Sequence, residues 1–118
     1  MNENWPLARV AFHLSDGLRR LVDAAEVYYL EAVDDGTLVR LRARRTLTDV
    51  RKLGEVLSRF EPHGFVRIHR EYAVNLRHVR ELRRRSEGRD WEVKLESPVH
   101  RVLPVSRSAL DDLTAAVG

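Results

Sequence analysis

The chain has 118 residues, 43% hydrophobic and 33% charged, which supports one globular domain with a modest core and excludes a disordered tail. It has no cysteine, which excludes a disulfide scaffold, a thiolate nucleophile and a Cys-based zinc site. The formal net charge is +3, and of 21 cations only Lys52 and Lys94 are lysine. Arginine presents a planar donor fork suited to phosphate and guanine edges, although a GC-rich genome enriches arginine whatever the partner. There is no apolar run of about eighteen residues and no basic-then-apolar leader, so neither a membrane span nor a secretory signal is expected and a cytoplasmic location is the simplest fit.

Residues 1–7 show no periodicity and contain Trp5-Pro6, which reads as a tail or linker remnant before a domain over 8–118. Residues 8–14 alternate in the period-2 sense and Ser15-Asp16-Gly17 is a turn signal, so a hairpin into 18–22 follows. Residues 27–32 are mostly apolar, as in a strand buried on both faces. Asp34-Asp35-Gly36 turns the chain. Residues 38–44 alternate again, with Arg40, Arg42 and Arg44 on one side.

At Thr46 the period changes. Leu47, Val50, Leu53, Val56, Leu57 and Phe60 recur at three- and four-residue steps, which predicts an amphipathic helix over 46–60. Thr46 and Asp49 have the form of a capping box, Pro62 and Gly64 end the helix, and Gly54 inside it predicts a close packing contact.

The stretch 65–76, Phe-Val-Arg-Ile-His-Arg-Glu-Tyr-Ala-Val-Asn-Leu, packs a strand pattern and a cation cluster together. If it is extended, Phe65, Arg67 and His69 share one face, and Val66, Ile68 and Arg70 the other. Tyr72-Ala73-Val74 reads as a second short strand or turn closing into the core. Residues 80–85 are charge-rich, 86–90 a loop, 91–96 a half-buried strand, and 99–105 a last strand after Pro98. Ser106 or Ser108 caps a final short helix with the stripe Leu110, Leu113 and Val117.

Three motifs in order, Glu26-Val27-Tyr28-Tyr29-Leu30-Glu31-Ala32, the His69-centred stretch with Asn75, and Pro104-Val105-Ser106-Arg107, resemble the LytTR family of bacterial DNA-binding domains over about 14–117. The resemblance implies a mainly β fold of small antiparallel sheets with one central helix and a short C-terminal helix. It also implies sequence-specific binding of double-stranded DNA by loops inserted into the major groove, for transcriptional regulation, as a response regulator output domain or a stand-alone regulator. Expected partners are duplex DNA with repeated half-sites, further copies of the chain on that DNA, and a sensor or receiver module.

The candidate DNA-binding residues are Thr37, His69, Arg70, Asn75, Arg107 and Ser108. Arg70 would bond a base, and His69 would contact phosphate or brace the loop. Arg107, opening the last helix beside Ser108, meets free N–H groups that suit phosphate, and the resemblance implies a base contact for it. Thr37 follows a turn that in the family enters the groove; it would touch a base or simply belong to a hairpin. Asn75 reads by its own chemistry as a structural hydrogen-bonder at a turn. Asp34 and Asp35 depart from the family pattern, since two carboxylates would face a polyanion. Glu71 departs from it too, where the family often has a small hydroxyl residue that bonds phosphate, and would instead pair with and orient Arg67 or Arg70 or accept from a cytosine amino group. Arg83, Arg84 and Arg85 would add phosphate contacts or form a solvated loop.

No cofactor or metal is expected: the five histidines have no ligand spacing, and no motif supplies a nucleophile with its base, which argues against an enzyme. The alternative from another class is a protein-interaction module that keeps this fold without DNA affinity. Single-stranded RNA binding would need exposed aromatics for stacking.

Overall fold

The computed structural model describes residues 9–85 and 90–118; the tail expected over 1–7 and most of the loop expected over 86–90 lie outside the described residues. The first pair of strands is the hairpin that the alternation predicts. β1 (Arg9–His13) and β2 (Arg19–Asp23) pair antiparallel, with Val10 opposite Val22. Their apolar side chains Val10, Phe12 and Val22 are buried.

A five-stranded antiparallel sheet organises the rest, in the order β5-β4-β3-β7-β6. Its strands are β3 (Val27–Val33), β4 (Gly36–Leu41), β5 (Thr46–Asp49), β6 (Phe65–His69) and β7 (Tyr72–Asn75). Val27, Tyr28, Tyr29 and Leu30 are buried in succession. That is the signature of a central strand covered on both faces. On one face lie the β1–β2 hairpin and helix α1 (Leu53–Phe60), whose Leu53, Val56, Leu57 and Phe60 are buried at one-turn spacing. On the other face Tyr28, Tyr29, Ile68 and Val74 meet a three-stranded sheet and helix α2 (Arg107–Val117). That sheet has the order β10-β9-β8, formed by β8 (Val79–Arg84), β9 (Trp91–Leu95) and β10 (Val102–Val105). Two cores thus share one sheet.

The helix expected over 46–60 begins only at Leu53. Residues Thr46–Asp49 form an edge strand on β4, with Arg40 opposite Thr46 and Thr37 opposite Asp49. The apolar spacing that matched a helix arises from Leu47, packed on the core edge, and Val50, which is 50% exposed. β-branched Thr46 and Thr48 favour the strand. Asp49 is therefore no helix cap. Its fully buried carboxylate accepts from the His13 N–H at 2.8 Å, the Arg51 N–H at 2.9 Å, and the Arg51 guanidinium at 3.0 and 2.8 Å, and so ties the β1–β2 hairpin to the sheet. The close contact expected at Gly54 is absent, since a Cβ there would lie 3.8 Å from Arg67 Nη1, ordinary van der Waals distance.

β4 stops at Leu41, so Arg42 and Arg44 are not on its face. Ala43 and Arg44 turn the chain at φ of 61° and 62°. The charge-rich residues 80–85 are mostly strand, not loop: Arg83 and Arg85 reach Glu92 at 2.7 and 3.3 Å, and the Arg84 guanidinium lies 5.5 Å from the Trp91 ring centroid. The last strand is shorter than 99–105, because Ser97, Pro98 and Val99 turn and His100 has φ 51°.

Candidate nucleic-acid interface

Two chain tips are brought together at one end of the central sheet. The first is the β6–β7 turn, carrying His69, Arg70 and Glu71. A bulge between Arg67 and His69 puts Ile68 out of register, and Ile68 is fully buried in the second core. A bulge re-aims the residues after it. Here it leaves Arg70 exposed at the tip. The second tip is the start of α2. Ser106 is its N-cap, and its Oγ accepts from the Ala109 N–H at 3.2 Å, which resolves the choice between Ser106 and Ser108 as cap. Ser108 Oγ lies 3.2 Å from Ser106 Oγ. The Ser106 N–H donates to the Ile68 carbonyl at 2.7 Å, so the two tips share a backbone hydrogen bond. Fully buried Leu113 anchors α2 from below.

The result is a surface cleft lined by Arg67, His69, Arg70, Ser106, Ser108, Ala109 and the acidic Asp112. Arg107 is exposed beside it, at the first position of α2. Among the described residues neither Arg70 nor Arg107 takes part in an ion pair. Other arginines are spent internally: Arg51 on Asp49, Arg83 on Glu92, Arg101 on the Tyr29 hydroxyl at 2.9 Å. His69 Nδ1 accepts from the Glu71 N–H at 3.1 Å. That role leaves the proton of a neutral ring on Nε2, a donor available to an anion. Below the turn, burial pushes the Tyr72 phenol above its ordinary pKa, and the Glu31 carboxylate adds to the rise, so this hydroxyl stays neutral.

Two of the sequence candidates sit elsewhere. Thr37 is fully buried in β4 and its hydroxyl donates to the Arg51 carbonyl at 2.8 Å, so it has no surface to offer a base. Asn75 is also buried; its amide donates to the Val27 carbonyl at 3.0 Å and its Oδ1 accepts from the Arg77 N–H at 3.1 Å. It ties β7 to the start of β3, the structural role that its own chemistry indicates. In the β3–β4 turn Asp34 and Asp35 are exposed, and Gly36 follows at φ 143°. A Cβ at Gly36 would fall 2.0 Å from the Asp49 carbonyl oxygen, so only glycine fits there. Asp34 and Asp35 share a second surface groove with Lys52, Glu55 and Arg67.

Arg67 is the residue of this surface that sequence reading missed. Its Nε donates to the His69 carbonyl at 3.1 Å and its Nη2 to the Arg70 carbonyl, and it lines both grooves. Alternation placed it on the face of His69 but could not show the guanidinium folding back onto its own turn. Among the described residues no group of three His, Asp or Glu side chains gathers as a metal site would require, and no helix is long and apolar enough to cross a membrane.

Comparison with known proteins agrees with this architecture. The profile of the LytTr DNA-binding domain matches residues 19–118. The CO-responsive transcriptional regulator RcoM of Rhodospirillum rubrum is 39% identical over 67 residues, 57% of this chain and only 28% of that protein's length. A solved LytTr DNA-binding domain from Bacillus cereus superimposes with a TM-score of 0.75 at 25% identity, covering 94% of this chain and 97% of that one.

Proposed function

Because the chain belongs to the LytTr DNA-binding domain family, we propose that it regulates transcription by reading duplex DNA through the β6–β7 turn and the start of α2, both inserted into the major groove. The observation that carries this reading is the Ser106–Ile68 backbone bond. It fixes on one edge Arg70 and Arg107, neither of which takes part in an ion pair among the described residues. A guanidinium fork matches the O6 and N7 acceptors of guanine, and a good bidentate contact is worth roughly 1–3 kcal/mol of discrimination. The first N–H groups of α2, the Ser108 hydroxyl and the His69 Nε2–H supply donors for the flanking phosphates, which position the domain without reading sequence.

The domain would take one half-site, with copies of the chain sharing a repeated element and a sensor or receiver module setting their activity. Its place of action would be the bacterial cytoplasm, where that DNA lies. Aromatic stacking on single strands is disfavoured. Phe12, Tyr28, Tyr29, Phe60 and Phe65 are buried, and Tyr72 and Trp91 are half-buried. The acids Asp34, Asp35 and Glu71 at the same end of the sheet favour the second reading, a protein-interaction module on this fold.

Selection of bound sequences from a random duplex pool, followed by titration of the winner across salt, separates the two. A DNA reader yields a consensus and loses affinity steeply with salt, because each neutralised phosphate releases counterions. Recovery of no consensus, or binding indifferent to salt, rejects the DNA reading.

A further inference from the structure

Arg67 leaves β6 just before the bulge, and its guanidinium is turned back onto the chain. One nitrogen donates to the His69 carbonyl at 3.1 Å and another donates to the Arg70 carbonyl. Besides the Ser106–Ile68 backbone bond, the tip is held by the Glu71 N–H donating to the His69 ring and the Glu71 carbonyl accepting from the Ala32 N–H at 2.8 Å. The Arg70 carbonyl lies in the turn, beyond the strand pairing that ends at His69 and Tyr72. A side chain therefore satisfies it. Two carbonyls on successive residues are bridged by one rigid planar fork, a geometry that the single ammonium of lysine cannot reproduce. The orientation of the peptide carrying Arg70 depends on that fork.

We propose that Arg67 is a specificity-determining positioning residue: it holds the tip of the β6–β7 turn so that the Arg70 guanidinium enters the groove at one angle. This rests on the reading of Arg70 as a base contact, and it makes Arg67 act through Arg70 and not through a phosphate of its own. A mere phosphate contact would need only the charge.

The test uses the full chain carrying Arg67→Lys or Arg67→Gln, with Arg70→Ala alone and in combination with each. Amide hydrogen exchange over 69–72 is measured without DNA, thermal melting reports the fold, and affinity is measured on the selected duplex and on random duplex. Both Arg67 variants are expected to melt cooperatively and to exchange the Glu71 amide faster. Each should lose about tenfold in the ratio of specific to random affinity, the size of one weakened base contact. Adding Arg70→Ala should cost little more, because the two residues act as one unit.

Wild-type affinity in Arg67→Lys would identify a phosphate contact and overturn the proposal. Unchanged exchange over 69–72 would overturn it too, without reference to DNA. If Arg70→Ala alone leaves specific binding intact, the base-reading role of Arg70 falls and takes the specificity role of Arg67 with it. Full dependence on Arg70 with unchanged exchange in the Arg67 variants removes Arg67 alone.

Discussion

A single arginine is worth little on an ordinary protein surface, where solvent screens its charge. Arg70 and Arg107 differ because the backbone beneath each is held by hydrogen bonds, so little backbone entropy remains to be lost on binding. Arg70→Ala and Arg107→Ala are each expected to weaken binding to the selected duplex by roughly 1–3 kcal/mol while leaving the melting temperature near wild type. Unchanged affinity in both would remove the groove-reading role. Asp34 and Asp35 have the opposite sign. Exposed in the β3–β4 turn, they should repel a nearby phosphate array over about 8 Å at physiological salt. Asp34→Asn together with Asp35→Asn should therefore tighten binding modestly on all sequences alike, less so as salt rises. Loosened binding on the preferred site alone would mean instead that a carboxylate accepts from a cytosine amino group.

The elements also carry local conflicts that can be measured. Burial pushes the Asp49 carboxyl up, but the Arg51 guanidinium and the N–H groups of His13 and Arg51 outweigh it and hold the carboxyl below its ordinary pKa. The folded state thus binds this proton more weakly than the unfolded chain. The stabilisation is complete at neutral pH and drains away as the pH falls below about 4, through the folded pKa. Asp49→Ala strands a half-buried guanidinium and should cost about 3 kcal/mol at pH 7, the penalty of breaking an ion pair of this kind. The gap from wild type should narrow by pH 3 in denaturant titrations; a gap independent of pH would mean that the carboxylate charge is not what matters. The β4–β5 turn is strained in a different way, since Ala43 and Arg44 both hold positive φ. Asparagine and glycine adopt that conformation far more readily. Ala43→Asn with Arg44→Gly should therefore raise stability by about 1 kcal/mol, read as a higher melting temperature.

At the scale of the whole molecule, two cores lie back to back on one sheet, and β3 contributes to both. Leu53 anchors α1 in the first and Leu113 anchors α2 in the second. Leu53→Ala and Leu113→Ala should each destabilise by about 2–4 kcal/mol. Because the cores share β3, each variant should still unfold in one transition, with circular dichroism and tryptophan fluorescence coinciding. Separate midpoints would show that the β8–β10 sheet with α2 melts on its own. Leu113 also seats the helix whose first turn carries Arg107.

Much of this was legible in the amino-acid sequence, wherever local physics decides. Period-2 alternation and a turn signal predicted the β1–β2 hairpin, an unbroken apolar run predicted a strand buried on both faces, and Pro62 and Gly64 marked the end of α1. The cation-bearing tip of 65–76 and the serine-capped last helix were visible for the same reason. The tertiary structure decided whatever depends on partners distant in the chain. Leu47 and Val50 fit a helix by spacing, yet pairing with β4 makes 46–49 a strand and draws Asp49 inward to His13. Thr37 looked available beside a polar turn, but register points it into the sheet, toward the Arg51 carbonyl. Arg83 and Arg85 acquired Glu92 only when β9 came alongside β8, and Arg67 became a brace only when a bulge bent its strand. Sequence spacing specifies which face a side chain starts from, whereas register, bulges and long-range pairing determine what it finally reaches.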